Sequence, residues 1–273
     1  MNIKEELYVT LHDKYLFESF SKEEYQGIRG GMAGRLSFDG VPLGSSNASC
    51  PRKALLRANN VEEAPSLSSY LTFETGTHWE KLFGELKGSQ KIKNFRQDVK
   101  VLTEDGFSGS VDAVGEINGK LTVFELKSVS SLSSFEKVFI NREIPDSYIS
   151  QCVSYMNAMK ASDGYIVFAS FIYASQAYLT AGIQRKLGKV LPDITQFKVL
   201  LKNDDVFIND EFYCSYRNIK AHADVVAESI RTKKPYPIRP DRDMCFFCPF
   251  KTVCDEFDRD NSIDFINKCR SVL

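Results

Sequence analysis

A chain of 273 residues, 43% of them hydrophobic, can hold one large domain or two small ones around a substantial core. A formal net charge of −1 and a pI near 6.4 exclude a global basic field, so any grip on nucleic acid has to use local patches. No run of about 18 apolar residues is present, and Lys4, Glu5 and Glu6 stand where a signal peptide would carry its apolar core, so a cytoplasmic protein with no membrane partner is expected.

Residues 2–20 read as an amphipathic helix, with Ile3, Leu7, Leu11, Tyr15 and Leu16 at helical spacing; His12 lies near this stripe without a partner in sequence. From Gly27 to Ser49 the chain turns rich in Gly, Ser and Asn, which reads as a long loop without a regular element. That loop lacks the Gly-Lys-Ser/Thr ending of a phosphate-binding P-loop. Ser49-Cys50-Pro51 then opens a helix, with Ser49 as N-cap and Pro51 in the first turn. Arg52, Lys53 and Arg57 follow as candidates for gripping phosphates.

Residues 66–88 read as a second helix whose apolar face holds Leu67, Leu71, Phe73, Trp79, Leu82, Phe83 and Leu86, with His78 on it. Lys91 to Leu102 is expected to be a strand carrying Lys91, Lys93, Arg96 and Lys100, turned by Glu104-Asp105-Gly106. Phe107 to Ser128 reads as a hairpin. Phe107, Gly109, Val111 and Ala113 alternate with Ser108, Ser110, Asp112 and Val114, and Asn118-Gly119 supplies the positive φ angles of a two-residue type I′ turn.

Period two places Leu121, Val123, Glu125 and Lys127 on one face of the return strand and Thr122, Phe124 and Leu126 on the other. With the register set by Asn118-Gly119, facing residue numbers sum to about 237, so Asp112 falls opposite Glu125. Two carboxylates and a lysine converge. Like charges at that range repel and cost desolvation, a penalty that a divalent cation removes. Hard oxygen donors suit Mg²⁺ or Mn²⁺. The competing reading is a surface hairpin with ordinary charges.

After Ser128, residues 133–140 read as a helix. A second follows from Pro145 to about Lys160 and carries Gln151 and Tyr155 four residues apart on one face. Residues 164–173 are a nearly continuous apolar run, as in a central buried strand. Residues 174–195 are ambiguous, residues 197–201 suit another strand, and residues 209–232 read as one long helix holding Cys214 and His222.

Seven cysteines is an odd count, and without an export signal they argue against a disulfide framework. Cys245, Cys248 and Cys254, spaced x2 and x5 among aromatic residues, point to metal. A fourth thiolate would come from Cys50, Cys152, Cys214 or Cys269.

The run Gly109 to Asp112, then Glu125-Leu126-Lys127, resembles the active-site hairpin of the PD-(D/E)XK nuclease superfamily. Gly76-Thr77-His78-Trp79-Glu80 resembles the metal-binding histidine segment of its RecB-like members, and Gln151 to Tyr155 matches their Gln-x-x-x-Tyr motif. Cys50 in an Arg-Lys helix before the hairpin and Cys-x2-Cys-x5-Cys after it look like their iron–sulfur branch, which includes AddB and the CRISPR-associated adaptation nucleases.

The resemblance implies an α/β fold: a restriction-endonuclease-like core with a mixed sheet flanked by helices, and an iron–sulfur cap built from both chain ends. Residues 1–44 would precede a nuclease domain at 45–273, with cluster-binding elements at 49–57 and 241–257. It implies a metal-dependent exonuclease acting on single-stranded DNA or DNA ends. Its Mg²⁺ or Mn²⁺ would be held by His78, Asp112, Glu125 and the Leu126 carbonyl, with Lys127 orienting the nucleophile and Gln151 and Tyr155 nearby. Cys50, Cys245, Cys248 and Cys254 would bind one [4Fe-4S] cluster; zinc at the same thiolates and a non-catalytic nucleic-acid adaptor are the alternatives. Recombination, CRISPR adaptation and viral DNA replication are the settings in which such a protein would find partners.

Overall fold

The computed structural model describes residues 1–3, 6, 41–42, 50–59, 61, 76–102, 107–170, 194–236, 248 and 250–272. The expected N-terminal helix beyond Ile3 and Glu6, most of the Gly-rich loop, the Ser49 cap, the turn at Glu104-Asp105-Gly106, most of 174–195 and Cys245 lie outside them.

The described elements in chain order are β1 (Val41–Pro42), α1 (Pro51–Ala58), α2 (residues 76–83, tightening into a 3-10 turn at Gly84–Gly88), β2 (Ile92–Leu102), β3 (Phe107–Ile117) and β4 (Lys120–Val129). Then come α3 (Leu132–Phe135, widening into a π turn at Glu136–Ile140), α4 (Asp146–Met159), β5 (Asp163–Ser170), β6 (Ile194–Lys202), β7 (Asp205–Ile208) and β8 (Glu211–Ser215). The chain closes with α5 (Tyr216–Thr232), α6 (Lys251–Arg259) and α7 (Phe265–Arg270).

These strands join one mixed sheet in the order β1-β3-β4-β5-β6-β7-β8, with β2 also paired to β3. The pairs β1·β3 and β4·β5 are parallel and the others antiparallel. β4 and β5 run parallel because α3 and α4 intervene, as a parallel pair requires. The short strand at Val41–Pro42 corrects the expectation that residues 27–49 hold no regular element.

The β3–β4 hairpin has the expected register, Ala113 facing Phe124 and Ile117 facing Lys120. Asn118 and Gly119 both have positive φ, 53° and 75°, as the type I′ turn demands. Residues 209–232 are not one helix. Asn203-Asp204 and Asn209-Asp210 take positive φ and make two turns, so the segment to Ser215 forms the β7–β8 hairpin and the helix begins at Tyr216. Asn and Asp tolerate the left-handed region that other side chains avoid, and two Asn-Asp steps bracketing Val206 and Ile208 outweigh the helical spacing.

Each face of the sheet carries its own core. On one, α4 sets Ile149, Cys152, Val153 and Met156 against Val114, Val123, Ile166 and Phe168. On the other, α2 sets Trp79 and Phe83 against Phe124, Leu126, Tyr165 and Val167. β5 is accordingly buried from Gly164 to Ser170, the pattern of a strand covered on both sides. A third cluster unites Leu55, Leu56 and Val61 with Phe250, Val253, Phe257, Phe265 and Cys269, tying the helix after Cys50 to the C-terminal helices.

Candidate active site

The β3–β4 ladder ends at Ala113 and Phe124, one step short of Asp112 and Glu125. Beyond that point β4 follows β5 in parallel register through Val129. The Asp112 carboxylate spans the divergence by accepting the Leu126 N–H at 2.7 Å, so Leu126 enters the site through its amide.

Glu125 is fully buried. One of its oxygens accepts a hydrogen bond and ion pair from Lys127 Nζ, while Oε2 has no hydrogen-bond partner among the described residues. Burial and then the negative charge of Asp112 push its carboxyl up to about 8, against the pull of Lys127. Burial would lower the Lys127 ammonium, yet the charges of Glu125 and Asp112 outweigh it and hold it above the usual lysine value. A buried carboxylate that would sooner hold a proton than a charge, with a bare oxygen beside a second carboxylate, is chemically suited to a divalent cation. Mg²⁺ needs only one or two protein carboxylates, since water and substrate phosphate complete its shell.

Helix α4 closes the site from the core side. Gln151 bonds to the Tyr155 hydroxyl, and Gln151 Oε1 is a second buried acceptor with no partner among the described residues. Burial, then the charge of Glu125, raises the Tyr155 hydroxyl above its usual value, so it stays protonated and able to donate. Ser110 Oγ, two residues before Asp112 on β3, is a third such orphan.

The structure therefore brings Asp112, Glu125, Lys127 and Tyr155 into mutual electrostatic reach. His78 stands exposed on α2, and among the described residues no three His, Cys, Asp or Glu side chains gather closely enough to hold an ion. Glu80, two residues on, does act on Glu125 through its charge. Tyr148 also enters the site, its ring centroid 5.0 Å from Lys127 Nζ. Sequence reasoning passed over both. A Glu on α2 and a Tyr three residues before Gln151 carried the only available signal, helical spacing onto the same faces.

At the chain ends Cys50, Cys248 and Cys254 are half-buried, the last two packed against the third core cluster. Burial raises the Cys254 thiol, Arg52 counters through a hydrogen bond and its charge, and Cys50 and Cys248 lie near enough to raise it further. Cys269, which the resemblance leaves outside the cluster ligands, is buried next to Cys254 and Cys248. Its thiol is pushed up to about 12 by burial and by those neighbours. Cys50, Cys248 and Cys254 lie within electrostatic reach of one another beside a guanidinium, but as they stand they do not gather closely enough to hold an ion. Arg52 itself corrects an expectation. It is 1% exposed, bonded to Asp258 at 2.5 Å and to the Tyr236 carbonyl at 2.8 Å, and lies over the Phe257 ring, so it braces the fold and does not reach a phosphate.

A family model described as the PD-(D/E)XK nuclease superfamily matches residues 47–255. The chain belongs to the PD-(D/E)XK nuclease superfamily. Among solved structures, an alkaline exonuclease from Laribacter hongkongensis is similar at 10% identity, covering 74% of this chain and 91% of that one with a TM-score of 0.45. The same enzyme in complex with dAMP aligns at 12% identity over 71% and 89% of the two chains, TM-score 0.45. A phage-related exonuclease from Haemophilus somnus 129PT aligns at 14% identity over 82% and 92%, TM-score 0.43. No curated protein matches the chain. Within this nuclease superfamily the Asp112, Glu125-Leu126-Lys127 constellation is the candidate catalytic centre, and no helix among the described residues is long and apolar enough to cross a membrane.

Proposed function

We propose that this nuclease hydrolyses phosphodiester bonds in DNA with the help of a divalent cation, acting as an exonuclease on single-stranded DNA or DNA ends. The observation that carries the reading is the fully buried Glu125, one oxygen on Lys127 and the other bare, beside Asp112. Asp112, Glu125 and the Leu126 carbonyl would hold Mg²⁺ or Mn²⁺, with His78 as a nitrogen donor from α2. When bound, such a cation lowers the pKa of a coordinated water and neutralises charge on the attacked phosphate. The chain's own work is positional. Leu126 N–H fixes the Asp112 carboxylate, and Glu125 orients the Lys127 ammonium, which would steady the nucleophile and the negative charge that builds on phosphorus-bound oxygen. Tyr155, kept protonated, would donate to the substrate, with Gln151 holding its hydroxyl in place. Lys91, Lys93, Arg96 and Lys100 are exposed on or beside β2 and would grip backbone phosphates without reading sequence.

For the ends of the chain we propose that Cys50, Cys245, Cys248 and Cys254 bind one [4Fe-4S] cluster. The electrostatic nearness of Cys50 and Cys248 to Cys254 beside Arg52 is what favours this, and the staple would join the two ends of the domain. The test of the nuclease reading is digestion of labelled single-stranded and duplex DNA, with and without EDTA, by wild type and Lys127→Ala. Magnesium-dependent release of mononucleotides that vanishes in the variant is expected, and undiminished activity in Lys127→Ala overturns the assignment.

A further inference from the structure

Lys127 makes two close contacts of different kinds: its ammonium bonds Glu125 and also faces the Tyr148 ring, 5.0 Å from the centroid. Tyr148 is well placed to hold a fixed position. Its N–H bonds the Pro145 carbonyl at 2.9 Å in the first turn of α4, and its ring rests against Phe168 at 6.0 Å between centroids. It precedes Gln151 by three residues and Tyr155 by seven, spacings that put all three on one face of the helix.

The ring has a role that Glu125 cannot fill alone. A carboxylate shared with a cation gives up part of its hold on a neighbouring ammonium, and the cation repels that ammonium. An aromatic face attracts it through the ring quadrupole and offers the cation no carboxylate oxygen to take. We propose that Tyr148 is a positioning residue for the reaction, its ring face holding the Lys127 ammonium at the carboxylates while its hydroxyl is dispensable. This rests on the nuclease reading.

The test compares wild type, Tyr148→Phe and Tyr148→Leu, with Tyr148→Trp as a second ring-bearing variant. Tyr148→Leu should lower kcat on the order of tenfold, the rate equivalent of one cation–π contact, with KM within about twofold. Tyr148→Phe should keep kcat near wild type. Selectively labelled lysine gives a readout independent of turnover. The Lys127 methylene protons, assigned by their loss in Lys127→Arg, should show a ring-current shift in wild type and Tyr148→Phe that disappears in Tyr148→Leu. If Tyr148→Leu unfolds, wild-type turnover and shift in both Phe and Trp variants support the ring. An active wild type with full kcat in Tyr148→Leu, or equal losses in Tyr148→Phe and Tyr148→Leu, overturns the positioning role alone. A wild type that cleaves no DNA overturns the nuclease reading and this role with it.

Discussion

Asp112 Oδ2 accepts the Leu126 amide at 2.7 Å at the place where β3 and β4 part company. The bond does for these two strands what the ladder no longer does, and it aims the Asp112 carboxylate before any ligand arrives. Removing it has two separable effects. Asp112→Ala should abolish DNA digestion, by at least about a hundredfold, and should cost about 1–3 kcal/mol of stability because the Leu126 N–H loses its acceptor. Lys127→Ala should abolish digestion equally. Chemical denaturation alongside the nuclease assay checks both, and an active Asp112→Ala protein would remove Asp112 from the centre.

Glu125 sets a pH signature. Its folded pKa, about 8, lies above the unfolded carboxylate value of 4.5, so the proton is bound more tightly in the folded state. The associated stability is fully present below about pH 4.5 and is lost as pH rises through 8. Glu125→Gln cannot titrate, so in metal-free buffer the variant should gain stability relative to wild type between pH 5 and 9. Paired urea melts at the two pH values measure this; a constant difference between the proteins would contradict it.

His78 is exposed, and its helix approaches β4 where a Cβ on Gly76 would lie 3.8 Å from Ser128 Oγ. As a nitrogen ligand it should be needed for Mn²⁺ affinity and not for stability. His78→Ala is expected to weaken Mn²⁺ binding about tenfold or more, the scale of losing one ligand contact, with an unchanged melting temperature. Calorimetry of the metal-free protein decides it, and wild-type affinity in His78→Ala assigns the residue to the surface.

Anaerobically purified protein should be brown with about four irons per chain, the content of one [4Fe-4S] cluster. Cys50→Ala should lose the iron and Cys269→Ala should keep it, even though Cys269 packs against the same thiols. Colourless protein with one zinc per chain would leave the staple standing and replace the cluster.

Arg52→Ala should destabilise the union of the chain ends by on the order of 3 kcal/mol. It removes one hydrogen-bond donor from Asp258 and from the Tyr236 carbonyl and opens a space beside Phe257. Because Asp258 remains a third exposed to water, the low end of the range for breaking a buried pair applies. Equilibrium denaturation of the variant checks the figure, and a wild-type midpoint would show that the guanidinium is not a brace.

Much of this protein was legible from local pattern. Asn118-Gly119 fixed the hairpin register, because so few residue pairs accept two positive φ angles, and the register placed Glu125 and Lys127 on one face with Asp112 beside them. Period two separated Val123 from Phe124 into opposite cores, and Pro145 marked the start of α4. Other features depend on residues far apart in the chain. Sequence alone could not tell that the β3–β4 ladder stops at Ala113 while β4 goes on pairing with β5 through Val129, leaving Asp112 to bond an amide in place of an opposite neighbour. Nor could it tell that Arg52, in a helix that reads as a basic grip, is enclosed by Asp258 and Phe257 more than two hundred positions later. Tyr148 meets Lys127 only because α4 folds back across the sheet. Local spacing determines which side chains share a face; which faces meet, and so which charges are buried together, was decided by the tertiary packing of two cores on one sheet.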